Sequence, residues 1–439
     1  MKQHSELPER FRHTRVFDLS KFYSAFVPFT VNSIYPVHRW YRFKEGYSKD
    51  LVHLILGSLG IRVNDCLDPF GGSGTTSLAC QETSIRCHSI EVNPFLQHLA
   101  KSKLNTRYTL NGFNDALETV KHSLIRCIDD DFEEPIMSTL TERPDLDKWL
   151  FSRPVLQAVL ALRHCFSSVH PLYSNLFLVV LASILTDVGN TIKDGKCVRY
   201  KRNWEKLAFT RQDVADLFLE RADIFREDVR YIESHKPVET QNAALCLKGS
   251  ALKRLKKMPD NCVDAVITSP PYLNSFDYTD VYMPELWALG FVNSYKDVRR
   301  LRRATFCSHV QVKWKKDEAR LSESLKSLVT EIVGDGNGLW NNIIPKMIGG
   351  YFLDMQAVLG ELKRIMRPHG KLCIVVGTSS YYKVAIPTDL LLAGLAEDIG
   401  FRFEELRIVR KLKRSTQQAR VNGVTQPALR ESILIFGTS

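Results

Sequence analysis

The stretch Val63-Asn64-Asp65-Cys66-Leu67-Asp68-Pro69-Phe70-Gly71-Gly72-Ser73-Gly74-Thr75-Thr76 commits this chain to an α/β architecture. A partly apolar run that breaks at a glycine-rich turn and reopens in helical spacing reads as strand, turn and helix start. Glycines let the backbone approach a ligand closely, and the helix start presents free N–H groups to it. A phosphate-binding loop would carry Lys after the last glycine, where Thr75 stands, and a dinucleotide turn would prefer a third glycine at Ser77. The ligand class left is a nucleoside without phosphates. A second strand, Arg86 to Ile90, delivers Glu91-Val92-Asn93-Pro94-Phe95, with the acid 23 residues after Asp68. An acid at that strand end is placed to accept both ribose hydroxyls, as in dinucleotide folds. Asp68, beside the turn, is placed to meet the ammonium of a methionine moiety.

Far downstream, Asp264-Ala265-Val266-Ile267-Thr268-Ser269-Pro270-Pro271-Tyr272 is an apolar run ending in a polar residue, two prolines and an aromatic ring. A residue before proline is steered away from helical geometry, so Ser269 and the backbone after it project stiffly from a strand end. An exocyclic amine on cytosine or adenine is a poor nucleophile because its lone pair is delocalised into the ring. If the Ser269 side chain and the Pro270 carbonyl accept its two N–H bonds, they favour a pyramidal nitrogen and stabilise the positive charge that grows on it. Tyr272 would stack on the base and hold it in line. Alone, Ser-Pro-Pro is an ordinary surface turn. The glycine turn and Glu91 in the same chain give it weight.

The sequences DPFGGSGTT (Asp68 to Thr76), IEVNP (Ile90 to Pro94) and TSPPY (Thr268 to Tyr272) resemble the cofactor and catalytic motifs of amino-directed DNA methyltransferases. That family uses S-adenosyl-L-methionine and methylates cytosine N4 or adenine N6. The resemblance implies an α/β fold with a Rossmann-like methyltransferase sheet, mostly parallel with one reversed strand, to which helical periodicity between the motifs adds a large helical insertion domain. It implies cofactor contacts from Asp68, Pro69, Phe70, Gly72, Gly74, Thr75, Glu91 and Asn93. Tyr35 to Leu56 resembles the motif that closes over the cofactor's methionine end, which adds Tyr47 and Ser48; Ser48 also reads as a helix N-cap. Ser269, Pro270, Pro271 and Tyr272 match the catalytic loop. Serine in the first catalytic position is commoner among N4-cytosine members, so N4-methylcytosine is the expected product and N6-methyladenine the alternative. An RNA amino-methyltransferase or an inactive DNA-binding homologue stands further back. One departure is Ser250, which occupies the place of the aspartate expected to contact the cofactor's adenine amine; a serine can still accept one hydrogen bond there.

Composition sets the surroundings. The 439 residues, 44% hydrophobic and 25% charged, give ample core, and a formal charge of +11 favours a polyanionic partner. The resemblance makes double-stranded DNA the expected partner, and a cognate restriction endonuclease a second candidate. Ten cysteines without a CxxC pair or a Cys/His cluster suggest neither a metal site nor a disulfide framework. No secretory signal or transmembrane run is read, so a cytoplasmic location is expected. Residues 1–110 and 239–439 are assigned to the catalytic domain. Residues 111–238, with helical periodicity at Leu117, Val120, Leu124 and Ile128, form a helical insertion for target recognition. Its tip, Lys193 to Trp204, interleaves Lys196, Arg199, Lys201 and Arg202 with aromatics, a mixture that suits phosphate and base contacts. The competing reading is a solvated loop with Trp204 packed beneath it. Arg299, Arg300, Arg302 and Arg303 form a second candidate DNA contact, although charge runs are usually solvated faces.

Overall fold

The computed structural model describes residues 8–23, 26–193, 198–235, 245–312, 321–334, 343–381, 384–412, 420–421, 424–425 and 429–438. The apolar runs become one eight-stranded sheet: β1 (Arg15–Asp18), β2 (Asp65–Asp68), β3 (Arg86–Glu91), β4 (Leu245–Lys248), β5 (Val263–Thr268), β6 (Met366–Gly377), β7 (Phe401–Leu412) and β8 (Leu429–Thr438). Strands β2 and β5 are covered on both faces, which is why β5 reads as a near-continuous apolar run rather than an alternating one and why even the acids of β2 are buried. The strand order is β1-β7-β8-β6-β5-β2-β3-β4. All neighbours are parallel except at β8, which runs antiparallel to both β6 and β7. The expected Rossmann-like sheet with one reversed strand is therefore present, extended by β1 along β7.

Two features differ from the sequence reading. The short edge strand β1, with its mixed charge, carries too little apolar pattern to be seen. Strand β6 begins at Met366, so Pro368-His369-Gly370, residues whose types favour a turn, is absorbed into it. The ladder passes from Val263↔Met366 to Ala265↔Lys371, and His369 adopts a left-handed conformation at the bulge.

The chain leaves β2 for β3 and β4 on one side, and β5 then pairs with β2 on its other side. The gap between the carboxyl ends of β2 and β5 is thus the topological switch point, where open α/β sheets bind ligands. Helices α1 (Lys49–Ser58) and α2 (Thr75–Glu82) cover one face of the sheet. Between α3 (Pro94–Lys103) and β4 come four longer helices, α4 (Leu110–Cys127), α5 (Arg153–Phe166), α6 (Pro171–Val188) and α7 (Arg211–Ser234). Helix α6 is apolar and long enough to cross a membrane, yet it is the central helix of this bundle, with Leu176, Phe177, Val180, Leu181 and Leu185 buried among its neighbours. The bundle does not own a separate core. Its apolar cluster runs on into Phe29, Trp40, Tyr41 and Phe43 of the N-terminal aromatic loop and into Tyr282, Leu286 and Trp287. Trp40 stacks on Phe225 of α7 at 4.9 Å, and Asp228 of the same helix accepts hydrogen bonds from the Val37 N–H, the Arg39 guanidinium and the Trp40 indole.

Beyond residues 269–280, the target loop that follows β5 and carries Ser269 to Tyr272, α8 (Tyr295–Ala304) carries the second basic stretch, while α9 (Ile344–Ile365) and α10 (Thr388–Asp398) pack on the other face of the sheet.

Candidate active site

A cavity of about 1040 Å³ opens at the switch point. One end is lined by the glycine turn, Glu91, Asn93 and Ser250, the other by Ser269 to Thr279, and the aromatic loop around Phe43, Glu45 and Tyr47 closes over the first.

The glycine turn has the shape its sequence demands. Gly72 and Gly74 sit at φ of 50° and 83°, a left-handed region that side chains rarely adopt. A Cβ on Gly74 would lie 2.9 Å from that of Ala100, and one on Gly72 would press on the Phe43 ring at 3.0 Å. Gly74 does not line the cavity; it lets α2 start against α3. Pro69, Phe70 and Thr75 do line it, with Phe70 set edge-on against Phe306.

Glu91 accepts from the Gly72 N–H at 2.8 Å and from the Asn93 N–H at 2.7 Å, one on each oxygen. Each oxygen keeps acceptor capacity for a further donor. Burial pushes its carboxyl up to about 7. Asn93 lines the cavity while its Oδ1 caps α3 by accepting from the Phe95 and Leu96 N–H groups. Ser250 also lines the cavity, and its hydroxyl makes no cap to the helix that follows it.

Asp68 is less an isolated contact than a junction. It accepts from the Thr268 and Thr76 hydroxyls, both at 2.7 Å, and from the Phe70 N–H at 3.0 Å. The Tyr47 hydroxyl adds a 3.4 Å bond and lies 2.5 Å from the Thr76 hydroxyl. Burial pushes the Asp68 carboxyl up to about 6. Thr76 and Thr268 are end residues of motifs singled out from the sequence, but neither was named there as a site residue. Ser48, expected at the cofactor, turns away from the cavity. Its hydroxyl accepts from the Leu51 N–H at the start of α1 and donates to the Phe26 carbonyl, so its place in the fold is that of the N-cap.

At the other end, Ser269, Pro270, Pro271 and Tyr272 line the cavity as expected from the strand-end geometry. The Tyr272 hydroxyl donates to Glu431 on β8, a partner 159 residues away that no local signal announces. Asp277 and Tyr278 also face this half.

The basic residues divide. Arg302 donates to Asp277 at 2.6 Å and to Asp280, so it buttresses the target loop from within rather than facing a phosphate. Arg300 pairs with Asp297 at 2.9 Å, and Arg299 and Arg303 stand exposed on α8. Arg199 and Arg202 are exposed beside the hairpin formed by Thr191–Lys193 and Val198–Tyr200, whereas the Lys201 ammonium is drawn back onto the Asp187 carbonyl at 2.7 Å. Lys196 lies outside the described residues. Trp204 packs edge-on against Trp149 at 4.9 Å and is buried, as the competing reading had it. The hairpin is fastened to the cavity wall: Lys44 donates to the Lys193 carbonyl, and the Lys193 ammonium reaches Glu285 at 2.6 Å and the Tyr41 hydroxyl at 2.5 Å.

Sequence spacing suggested no cysteine cluster, yet the fold makes one. Cys66 and Cys87 pair across β2 and β3, and Cys80 of α2 brings a third sulfur, all within 4.8 Å of one another. The three are buried in apolar core rather than in a cavity.

Strand order, the single reversed strand and a nucleoside-sized cavity at the switch point define a Rossmann-like fold of the methyltransferase class. No protein-family model matches the chain. Along 96% of its length it is 29% identical to the Type II methyltransferase M.BsoBI of Geobacillus stearothermophilus, covering 89% of that protein. It is 27% identical over 93% of its length to M.AvaI of Anabaena variabilis, covering 88% of it, and 20% identical over 75% to M.MvaI of Kocuria varians, covering 73% of it. Its full-length relatives are thus Type II DNA methyltransferases, in line with the motif resemblance. Among solved structures, the rRNA methyltransferase aviRa from Streptomyces viridochromogenes is 10% identical with a TM-score of 0.28, covering 89% of this chain and 85% of its own.

Proposed function

We propose that this protein transfers the methyl group of S-adenosyl-L-methionine to the exocyclic N4 amine of cytosine in duplex DNA, after flipping the base out of the helix. The observation that carries this reading is one continuous cavity with a nucleoside-holding end at Glu91 and the glycine turn, and an amine-accepting corner at Ser269 and Pro270. When bound, the cofactor supplies an electrophilic methyl on a sulfonium. The chain supplies position and field. Glu91 holds the ribose, Ser250 offers one acceptor to the adenine amine, and the Phe43 to Tyr47 segment shuts the methionine end from water. Ser269 and the Pro270 carbonyl accept the N–H bonds of the target amine, directing its lone pair at the methyl carbon and stabilising the charge that develops. Tyr272 stacks on the ring. The methylated amine loses its proton to water, so no side chain is needed as a base. The helical insertion reads the target: its hairpin, with Arg199 and Arg202 exposed, is fixed at the cavity wall through Lys193 and Lys44.

Incubation with tritiated S-adenosyl-L-methionine and either unmethylated duplex DNA or RNA, followed by nucleoside analysis, tests the proposal. Label in N4-methylcytosine supports it, label in N6-methyladenine moves the reaction to the other amine, and label in RNA alone overturns the DNA reading.

Cofactor binding should also release a proton. Ribose hydroxyls donating to Glu91 favour its ionised form, so binding draws its pKa down from about 7. Affinity therefore rises with pH below about 7, by at most about tenfold per unit, and levels off above it. Calorimetry at about pH 6.5 in buffers of different ionisation enthalpy reads the released proton, and Glu91→Gln removes it. An affinity that stays flat from about pH 5.5 to about pH 8 would show that Glu91 does not meet the ligand.

A further inference from the structure

We propose that Glu431 is a positioning residue for methyl transfer, acting with Arg410 and Gly377 as a platform that fixes the plane of the Tyr272 ring. This rests on the reading that Tyr272 stacks on the target base.

Three neighbouring strands meet at one level. Glu431 of β8 is in register with Arg410 of β7 on one side and with Gly377 of β6 on the other. The ladder between β7 and β8 shifts register between Ile408 and Arg410, a bulge of the kind that re-aims a side chain beside a site. It brings the Arg410 guanidinium to 2.9 Å from Glu431 Oε2, a close ion pair lying off hydrogen-bond alignment. The other carboxylate oxygen, Oε1, accepts the Tyr272 hydroxyl. Gly377 sets the third boundary, because a Cβ there would stand 3.0 Å from Tyr272 Cε2 and 3.2 Å from Cδ2. The ring is thereby held at its hydroxyl end and flanked on the β6 side by bare backbone.

Packing alone would not need this arrangement. Glu431 is 4% exposed, and burying a carboxylate is costly unless it is paired. An apolar residue could cover the ring edge at less expense, but it would leave the ring free to tilt. A charge-assisted hydrogen bond to the hydroxyl is directional, and the Arg410 guanidinium holds the carboxylate that makes it. The geometry also alters what stacking alone predicts for Tyr272→Phe: the phenyl ring keeps its face but loses its anchor, so the substitution should lower the rate.

Steady-state transfer of tritiated methyl from S-adenosyl-L-methionine into unmethylated plasmid DNA tests the assignment with Glu431→Ala, Glu431→Gln, Tyr272→Phe and the Tyr272→Phe/Glu431→Ala pair. The alanine and phenylalanine variants should each lose about tenfold in kcat, as expected for a small misplacement of a reacting group, with KM for the cofactor unchanged; Glu431→Ala should also melt lower, because it leaves Arg410 and the Tyr272 hydroxyl without their carboxylate partner. Glu431→Gln, which can still accept from the hydroxyl, should recover most of the loss. The double variant should be no slower than the slower single, because both remove the same bond. Wild-type kcat in Glu431→Ala, or losses that multiply to about a hundredfold in the double variant, would overturn the assignment; so would a loss accompanied by a raised cofactor KM. Tyr272→Phe removes a single oxygen and keeps the test open if the alanine variant folds poorly. A wild-type protein that transfers no label to DNA would fail at the earlier step and overturn both readings.

Discussion

Replacing Asp68 with alanine should weaken S-adenosyl-L-methionine binding by at least about a hundredfold. The effect follows from what the carboxylate joins. Thr268 ends β5, Thr76 lies in the first turn of α2, and the Phe70 N–H belongs to the turn itself; all three donate to Asp68 at the end of β2. Thr76 is 1% exposed and Thr268 2%, so neither hydroxyl faces bulk solvent. Each buried donor left unpaired costs about 1–3 kcal/mol, and two such losses at the middle of that range, about 4 kcal/mol together, correspond to several hundredfold in an equilibrium. Equilibrium dialysis reads the affinity, and an alanine variant binding within about tenfold of wild type would show that the turn holds its shape without the junction. The Asp68→Asn substitution has a different signature. The Asp68 carboxyl is raised from its usual range to about 6 by burial, so its favourable contribution to folding is present below about 3.8 and is lost as pH rises through about 6. An amide carries no such loss. Asp68→Asn should therefore melt no lower than wild type at about pH 8 while still binding cofactor more weakly, a separation of stability from affinity that thermal melts at two pH values would display.

The second large effect concerns Lys193. Its ammonium lies 2.6 Å from Glu285 and 4.1 Å from the centre of the Tyr282 ring, and Glu285 is fully buried. Removing one partner of such a pair strands the other charge in a low-dielectric interior, at a cost of about 3–5 kcal/mol. Lys193→Ala should lose that much stability in urea denaturation. Replacing the pair together, Lys193→Met with Glu285→Leu, should recover most of it, since two apolar side chains leave no charge behind. A double variant as unstable as the single would mean that the pair's directionality, rather than the stranded carboxylate, sets the cost.

These two residues also show where the sequence was informative and where it was not. The strand, glycine turn and helix start around Asp68 are local: a few residues of apolar run, glycines at positions that require positive φ, and a helix beginning at once. The same holds for the Thr268 to Tyr272 corner, where prolines stiffen the backbone regardless of what surrounds them. Lys193 belonged, by its neighbours, to a basic surface loop; it faces inward because Glu285 and Tyr41, 92 and 152 residues away, are folded against it. Arg302 was misplaced for the same reason. A run of like charges describes a solvated face only until acids elsewhere in the chain claim one member, as Asp277 and Asp280 do here. Ser48 illustrates a conflict between two readings of one residue: its N-cap role follows from the helix that starts after it, and the cap together with the donation to the Phe26 carbonyl turns its hydroxyl away from the cavity. Edge strand β1 was invisible because four residues with two charges carry no periodicity.

The apolar cluster that joins the helical bundle to the Phe29–Phe43 loop bears on retargeting. If the bundle reads the target, as proposed, its specificity cannot be exchanged as a cassette cut at the ends of the bundle. The Trp40–Phe225 stack and the Asp228 clamp, both made by α7, would be severed by such a cut, so a graft from a relative would have to bring the matching residues of the aromatic loop with it.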